Sequence, residues 1–318
     1  MMAALYPSFF GDKRYYSLNQ YFRGIFHSKV CKVAIDAGFT CPNRDGSKGI
    51  GGCTFCSAAG SGEFAGSRSL PIAVQLEEGS KMMAKKWGEL PVIAYFQAFT
   101  NTYAPLSVLR QRYEEALALP NVVGLSIATR PDCLPNEIFP LLRELNNRTH
   151  LTLELGLQTV HDNTAKRINR CYCYAEFLES YCQLKENGIA VCIHLINGLP
   201  GEDFEQMLAS TKQVAQLSPH SVKIHLLHVL NNTALSKDYH LGKYTPLSQD
   251  EYVSLVCKQL TFLPPSVVIE RLTGDGKRDA LEAPLWSLQK RKVLNAIDGY
   301  LRSHALWQGK FYEGNGKN

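Results

Sequence analysis

Residues 30–66 read VCKVAIDAGFTCPNRDGSKGIGGCTFCSAAGSGEFAG and join a short apolar strand to a long glycine-rich loop. The loop carries three cysteines, Cys41, Cys53 and Cys56. Thiolates are the soft ligands that iron-sulfur clusters take, and a four-iron cluster needs one ligand per iron. The glycines allow the backbone to wrap closely around a bulky group. Three cysteines therefore predict a cluster whose fourth iron is open to another ligand.

Two other kinds of thiol site stay open for this loop. A structural zinc site normally has four Cys or His ligands, and His27 or Cys31 could supply the fourth. Buried cysteines without metal are common in protein cores, although a loop so rich in glycine is a poor candidate for core. A redox pair at Cys53 and Cys56 is disfavoured, because a glycine-rich segment follows where such a motif would begin a helix.

Composition indicates an intracellular protein with a sizeable core. The chain has 318 residues, of which 45% are hydrophobic, and ten cysteines. It shows no signal peptide and no apolar run of membrane-spanning length. We therefore expect a cytoplasmic location, in which the thiols stay reduced. The formal net charge of +5 permits nucleic-acid binding without arguing for it.

Short apolar runs alternate with amphipathic segments, which is the pattern of a parallel sheet with crossover helices. Six βα units are too few for a closed eight-stranded barrel. The predicted fold is therefore α/β, an open partial (βα)6 TIM-like barrel with a C-terminal strand and helix extension. We expect a single structural unit made of an N-terminal extension (1–30), the barrel core (31–262) and a C-terminal cap (263–318).

The predicted elements follow from the same pattern. The strands are predicted near 31–36, 91–96, 122–127, 150–156, 189–195 and 221–226. The helices are predicted near 71–88, 105–119, 135–147, 174–187, 202–217 and 248–262. The extension is predicted as an apolar run at 266–272 and a helix at 284–304.

Ligand-type side chains follow the predicted strands, at the edge where the active sites of such barrels lie. In the fourth strand, alternation places Glu154 and Gln158 on one face. Taken singly, such residues commonly cap helices or fill the interior. Ligand-type residues recur at six consecutive strand ends, which is more often than turns and helix caps alone would require. The set includes Arg130, Glu154, Gln158, His194 and Lys223.

The cysteine loop, with Phe55 between its last two thiols, resembles that of the radical S-adenosylmethionine enzymes. The segments TRPD at 129–132, ELGLQT at 154–159 and GLPGE at 198–202 carry the same resemblance. The similarity is greatest to the branch that contains the catalytic subunit of Elongator, and within it to the bacterial YhcC/YtqA-like group. It covers roughly residues 15 to 305. The chain has no room for the acetyltransferase domain of Elongator, so acetyl transfer is not expected.

The resemblance implies two cofactors, a [4Fe-4S] cluster and S-adenosylmethionine bound at its open iron. Reductive cleavage would give a 5'-deoxyadenosyl radical that abstracts hydrogen from the substrate, while the protein orients and shields these species. The matched metal ligands are Cys41, Cys53 and Cys56, and the matched cofactor-binding residues are Phe55, Glu154, Gln158, Gly198, Leu199 and Pro200. The candidate catalytic residues come from their positions at the strand ends rather than from motif matching. They are His194 and the two cations Arg130 and Lys223, which would hold a carboxylate or phosphate because cations at a barrel mouth normally need an anionic partner.

The resemblance also implies tRNA as the substrate. Members of the bacterial group are linked to the wobble uridine, on which the carboxymethylaminomethyl substituent at C5 is converted to aminomethyl. The expected partners are the anticodon loop of tRNA and an electron donor such as flavodoxin or ferredoxin, and no membrane. Two alternatives stay open: a radical enzyme acting on a small metabolite or peptide, and a non-catalytic metal-binding scaffold.

Overall fold

A computed structural model describes residues 6–314. The first five residues of the predicted N-terminal extension and the last four of the predicted cap lie outside this range. The strands are β1 (Cys31–Ile35), β2 (Val92–Phe96), β3 (Val122–Thr129), β4 (His150–Gln158), β5 (Ala190–Asn197), β6 (Ser221–Leu226), β7 (Val229–Leu230), β8 (Val268–Arg271) and β9 (Leu281–Ala283). The helices are α1 (Leu18–Phe26), α2 (Ile72–Trp87), α3 (Leu106–Leu117), α4 (Ile138–Arg148), α5 (Asp162–Arg167), α6 (Tyr174–Glu186), α7 (Phe204–Leu217), α8 (Ala234–His240), α9 (Gln249–Phe262) and α10 (Lys290–Ser303).

Seven strands form one sheet in the order β1-β2-β3-β4-β5-β6-β8. The predicted α/β fold with an open partial barrel is confirmed, and the predicted extension strand is β8, which pairs in parallel with β6. The predicted helix at 284–304 begins later, at Lys290, because Leu285–Leu288 first forms a 3-10 turn. The short helices α1, α5 and α8 and the small β7-β9 sheet are not predicted from the sequence.

The chain divides into two compact units. The predicted single structural unit with internal limits at 30/31 and 262/263 stays a prediction. The cysteine-loop unit comprises residues 22–156 and 169–192, and the C-terminal unit comprises the described residues before 22 together with 157–168 and those from 193 onward. Within residues 6–314, none of the helices has both the length and the apolar character that crossing a membrane requires.

In the cysteine-loop unit, the strands β1 to β4 pair in parallel register. Lys32 is opposite Ile93, which is opposite Gly124, which is opposite His150. A side chain at Gly124 would collide with the backbone carbonyl of His150. Glycine at this position therefore lets β3 and β4 approach each other closely enough to pair.

The β1 to β4 part of the sheet is strongly curled. Strands β1 and β4 are separated by three inter-strand spacings of about 4.8 Å each. Nevertheless, Nζ of Lys32 on β1 lies 2.6 Å from Oε1 of Glu154 on β4, and the hydroxyl of Ser126 on β3 donates to the same oxygen. The three side chains must therefore lie on one concave face of the sheet.

In the C-terminal unit, α9 packs between α7 and α10. The α9 residues Val256 and Leu260 are fully buried, as is Ile297 on α10. One polar pair lies within this core, where the side-chain amides of Asn197 and Gln259 exchange hydrogen bonds of 2.8 and 2.9 Å. Because each amide serves the other, both are buried without loss of hydrogen bonding.

Candidate active site

The cysteine loop follows β1 and is shaped by short backbone turns next to the thiols. The amide of Arg44 donates to the carbonyl of Cys41 at 2.8 Å, and the amide of Cys56 donates to the carbonyl of Cys53 at 2.9 Å. Between these turns Gly52 has a φ of +80°, a left-handed conformation that other residues rarely adopt. Cys53 and Cys56 therefore share one turn, which begins directly after a backbone position that favours glycine.

The three loop thiols are close enough to interact electrostatically. The pKa of Cys53 is raised to about 12, first by burial and then by the neighbouring thiols of Cys56 and Cys41, while Arg130 opposes the rise. Burial also raises the pKa of Cys56, against which Arg44 acts. Thiolates in this loop therefore need more positive charge than the two arginines provide, and bound iron supplies such charge.

Three soft thiols in one loop are a donor set that an iron-sulfur cluster can use. Among residues 6–314, no three His, Cys, Asp or Glu side chains are grouped so as to hold one metal ion. Neither His27 nor Cys31 completes such a group with the loop cysteines, so the zinc alternative gains no support. In a cubane each thiolate binds a different iron, and the ligands therefore need not converge on one point. The donor set of three soft thiols fits the predicted [4Fe-4S] cluster.

Two asparagines fasten the cysteine loop to the segment that precedes α6. Nδ2 of the fully buried Asn43 donates to the carbonyl of Asn169 at 2.6 Å and lies 3.6 Å from Sγ of Cys53. In return, Nδ2 of Asn169 donates to the carbonyl of Gly52 at 2.8 Å. Hydrogen bonds to the sulfurs help to set the potential of an iron-sulfur cluster. Neither asparagine is predicted from the sequence, although Asn43 lies only two residues after Cys41.

Arg130 lies beside the loop, but its charge is already matched. Its Nε and Nη2 donate to the two carboxylate oxygens of Asp132 at 2.9 and 2.8 Å, and its Nη1 donates to the carbonyl of Arg170 at 3.1 Å. The guanidinium also lies 4.8 Å from the ring centroid of Tyr172. In the sequence both residues stand out only as members of the segment TRPD at 129–132, which does not reveal that they pair. The predicted role of Arg130 as a partner for a substrate anion stays a prediction.

Two predicted cofactor-binding residues belong to the cysteine-loop unit. Phe55 is half-buried between Cys53 and Cys56. Glu154 is fully buried, and its carboxylate accepts from Lys32 and Ser126 on the concave face of the sheet. The predicted contacts of Phe55 and Glu154 with the cofactor stay predictions.

The other predicted site residues belong to the C-terminal unit. The amide of Gly198 donates to Sδ of Met207 at 3.1 Å, and its carbonyl accepts from the hydroxyl of Tyr244 at 2.8 Å. Nζ of Lys223 lies 3.9 Å from the carboxylate of Glu270, and both side chains are almost fully buried. Gln158 has a φ of +62°, and the ring centroids of His194 and His225 lie 5.1 Å apart. Leu199 is buried, and the carbonyl of Pro200 accepts a hydrogen bond from Arg167 at 3.2 Å.

Buried His228 gives the C-terminal unit a pH dependence. Burial lowers the pKa of His228 to about 4. The negative charge of Asp275 opposes this shift, and the positive charge of Arg271 adds to it. The unfolded chain has the ordinary value of about 6.5, so the unfolded state binds the proton more readily. The contribution of neutral His228 to the free energy of unfolding is therefore fully present above pH 6.5. As the pH falls from 6.5 towards 4, the free energy of unfolding decreases by about 3 kcal/mol. The variant His228→Gln should remove this part of the slope in urea denaturation, and an unchanged slope would refute the assignment.

An open cleft of about 860 Å³ lies within the cysteine-loop unit, between the loop after β2, the turn after β3 and helix α6. Lys48 lies at its edge together with the acidic side chains of Asp132, Glu176 and Glu179. A groove for RNA phosphates is expected to carry mainly positive charge. This cleft has the opposite balance, and we therefore do not place RNA in it.

Comparison with known proteins gives two family matches. Residues 41–214 match the model of the Radical SAM superfamily, and residues 219–303 match that of the Radical_SAM C-terminal domain. The chain is 51% identical over 302 residues to the uncharacterized protein YtqA of Bacillus subtilis. The alignment covers 95% of this chain and 94% of that protein.

Two further matches are to an acetyltransferase of tRNA and to a solved Elp3 structure. A tRNA uridine(34) acetyltransferase of Dehalococcoides mccartyi is 32% identical over 157 residues, which is 48% of this chain and 33% of that protein. The structure of the archaeal Methanocaldococcus infernus Elp3 superposes with a TM-score of 0.67 and 17% identity, covering 88% of this chain and 64% of that chain. The latter match concerns the fold alone.

Proposed function

The chain belongs to the radical S-adenosylmethionine superfamily, in its Elongator-like branch, and from this premise we propose that it modifies the wobble uridine of tRNA. The proposed reaction converts the carboxymethylaminomethyl group on C5 to aminomethyl. The bond between the amine nitrogen and the carboxymethyl carbon breaks, water adds to that carbon, and the fragment leaves as glyoxylate, with S-adenosylmethionine as the two-electron oxidant. The cofactors of the enzyme are those of its family, a [4Fe-4S] cluster and S-adenosylmethionine. When bound and reduced, they supply the 5'-deoxyadenosyl radical that removes a hydrogen atom from the substrate, with the electron coming from a donor such as flavodoxin or ferredoxin.

The observation that carries the proposal is the three-cysteine loop in a chain related to enzymes of tRNA uridine 34. Cys41, Cys53 and Cys56 would hold the cluster, and Asn43 would donate to the ligand Cys53. In the proposed site, Phe55, Glu154, Gln158, Gly198, Leu199 and Pro200 contact the cofactor, and Arg130, His194 and Lys223 act on the substrate. The sheet and loop would also exclude water from the reactive species.

A positively charged surface at the end of α2 supports a nucleic-acid partner. The ammonium groups of Lys29 and Lys86 lie 2.7 and 4.6 Å from the ring centroid of Trp87, which is 47% exposed. The pKa of Lys29 is lowered by burial, and the charges of Lys86 and Arg23 add to this effect. Clustered cations next to an exposed aromatic ring suit the phosphates and bases of RNA.

The proposal is tested by mass spectrometry of tRNA nucleosides from cells with and without the gene. In the deletion strain, carboxymethylaminomethyl uridine should accumulate, and aminomethyl uridine and its products should vanish. The wild-type gene and the Cys182→Ala variant should restore the products, because Cys182 is exposed on α6 and is not part of the cysteine loop. The Cys53→Ala variant should not. An unchanged nucleoside profile in the deletion strain would refute the proposed substrate.

A further inference from the structure

The C-terminal unit carries a surface on which cations and aromatic rings alternate. Each of its three ammonium groups lies 4.7 to 5.5 Å from the centroid of a neighbouring ring, and two of them contact two rings each. We call it the lysine-aromatic surface, and in spatial order its residues are Lys212, Phe262, Lys258, Phe311, Lys310 and Trp307.

The three lysines of this surface have no acidic partner. None of them forms an ion pair with a carboxylate among residues 6–314, whereas Lys277 and Lys290 of the same unit pair with Asp279 and Asp275. The interaction of an ammonium group with an exposed aromatic ring is weak. An approaching anion can therefore draw these lysines away from the rings at little cost, and the surface offers its positive charge to an anionic partner.

The backbone beneath the rings is held firmly. The side-chain amide of the fully buried Gln308 donates to the carbonyls of Pro264 and Val267, both at 2.7 Å. The amide of Phe311 donates to the carbonyl of Thr261 at 2.8 Å. The segment that follows α10 is thus fixed to the end of α9, and a ligand that stacks on Phe311 need not first order this part of the chain.

The lysine-aromatic surface lies away from the edge of the sheet where chemistry is expected. Helix α9 ends at Phe262, and Gln308 contacts the carbonyl of Val267, directly before β8 begins. The surface is therefore beside the beginning of a strand of the parallel sheet. Active sites of such barrels lie at the opposite edge, where the strands end. A group bound here cannot be the reacting group, so the surface would serve as a second attachment point.

The alternation of cations and rings fits one kind of anionic partner. A single strand of nucleic acid presents phosphates together with bases, and proteins bind such strands with a line of cations and with aromatic side chains on which the bases stack. Phe311 is 41% exposed and therefore accessible for stacking. An acidic peptide would use the lysines but would leave the rings without a role.

We propose that the lysine-aromatic surface binds a single-stranded segment of the substrate tRNA outside the anticodon loop. The inference rests on the proposed function and deepens it, because it assigns a contact with a part of the tRNA that does not react. The wobble uridine is presented at one edge of the sheet while another segment of the same molecule is held on this surface.

The test measures the affinity of the protein for full-length tRNA and for the isolated anticodon stem-loop by fluorescence anisotropy. The wild-type protein should bind full-length tRNA about 10- to 100-fold more tightly than the stem-loop. The variant Lys212→Gln/Lys258→Gln/Lys310→Gln should lose most of this difference, and its slope of log affinity against log salt concentration should be smaller by about 2, for three phosphates of a single strand. Its affinity for the stem-loop and its cleavage of S-adenosylmethionine without RNA should not change.

Two matched variants identify the kind of contact. Replacement of the same three lysines by arginine keeps the charge and should keep the affinity and the salt slope. Phe311→Ala should weaken binding of full-length tRNA by about 5-fold or more, as expected for the loss of one stacked base. Phe9→Ala should have no such effect, because Phe9 is similarly exposed, at 46%, but belongs to another aromatic cluster with Phe10 and Tyr16.

The possible failures are distinguishable. If the folded glutamine variant binds full-length tRNA with the affinity and salt slope of the wild type, the inference fails, whatever the nucleoside analysis shows. If the wild type converts no carboxymethylaminomethyl uridine, the proposed function fails. A wild-type dimer that the variant turns into a monomer in sedimentation without RNA would overturn the inference and assign the surface to a second copy of the chain. Should the glutamine variant not fold, Lys212→Gln alone, exposed on α7, replaces it. Its salt slope should be smaller by about 0.7, and an unchanged slope would equally overturn the inference.

Discussion

Replacement of Cys53 by alanine is expected to remove the iron-sulfur cluster and all cleavage of S-adenosylmethionine. The loop offers three thiols for a cubane that needs one protein ligand on each of three irons, so the loss of one exposes a second iron. Cys53 is also the thiol next to Nδ2 of Asn43. Anaerobically reconstituted wild-type protein should contain about four iron atoms per chain. The variant should contain close to none and should release no 5'-deoxyadenosine.

Cys182→Ala is the matched control, because this cysteine is exposed on the surface of α6 and has no place in the loop. It should bind iron and cleave S-adenosylmethionine like the wild type. Cys41→Ala and Cys56→Ala should behave like Cys53→Ala. Full iron content with normal cleavage in any of the three loop variants would show that the loop is not the cluster site.

The second large effect is expected from Arg130→Met. This substitution leaves the buried carboxylate of Asp132 without its bidentate partner, and removal of one member of a buried ion pair costs about 3 to 5 kcal/mol. It also removes the positive charge that lowers the pKa of Cys53. The free energy of unfolding, measured by urea denaturation under anaerobic conditions, should fall by that amount.

A second bidentate pair in the same unit provides the comparison. Arg148 donates to both oxygens of Glu114 at 2.6 and 2.9 Å, but its side chain is 48% exposed. Water and salt screen an exposed pair, and Arg148→Met should therefore change stability much less than Arg130→Met. Equal effects of the two substitutions would show that burial does not decide the strength of these pairs.

The regular elements were predictable because their signals are local. The apolar run at 122–127 is β3, and the amphipathic segment at 174–187 is α6. The strands of a buried parallel sheet are nearly continuous runs of apolar residues, and their crossover helices have an apolar face that repeats with the helical period. Short helices such as α5, with six residues, carry too few residues for a period to be seen. Their formation depends on contacts made after folding.

The cysteine loop was predictable for the same reason, but its surroundings were not. Asn169 contacts Asn43 across 126 positions, and Glu154 meets Lys32 across 122. No local pattern indicates such pairs, because each joins two segments that are far apart in the sequence. Lys223 and Glu270 are a further example, since β8 brings the glutamate to β6 from a distant part of the chain. Sequence alone therefore identified chemical groups without their partners.

Because Asn169 holds the cysteine loop by hydrogen bonds, the loop can reach its final conformation only after Asn169 has been synthesised. Asn43 and Gly52 are translated long before Asn169, which is 126 residues beyond Asn43. At about 5–20 residues per second, the ribosome needs about 6 to 25 s to reach the partner residue. During that interval the thiols have been synthesised, but the hydrogen bonds that Asn169 makes with their loop do not yet exist. Iron delivery is therefore expected to follow synthesis of the first half of the chain, as a late step of maturation.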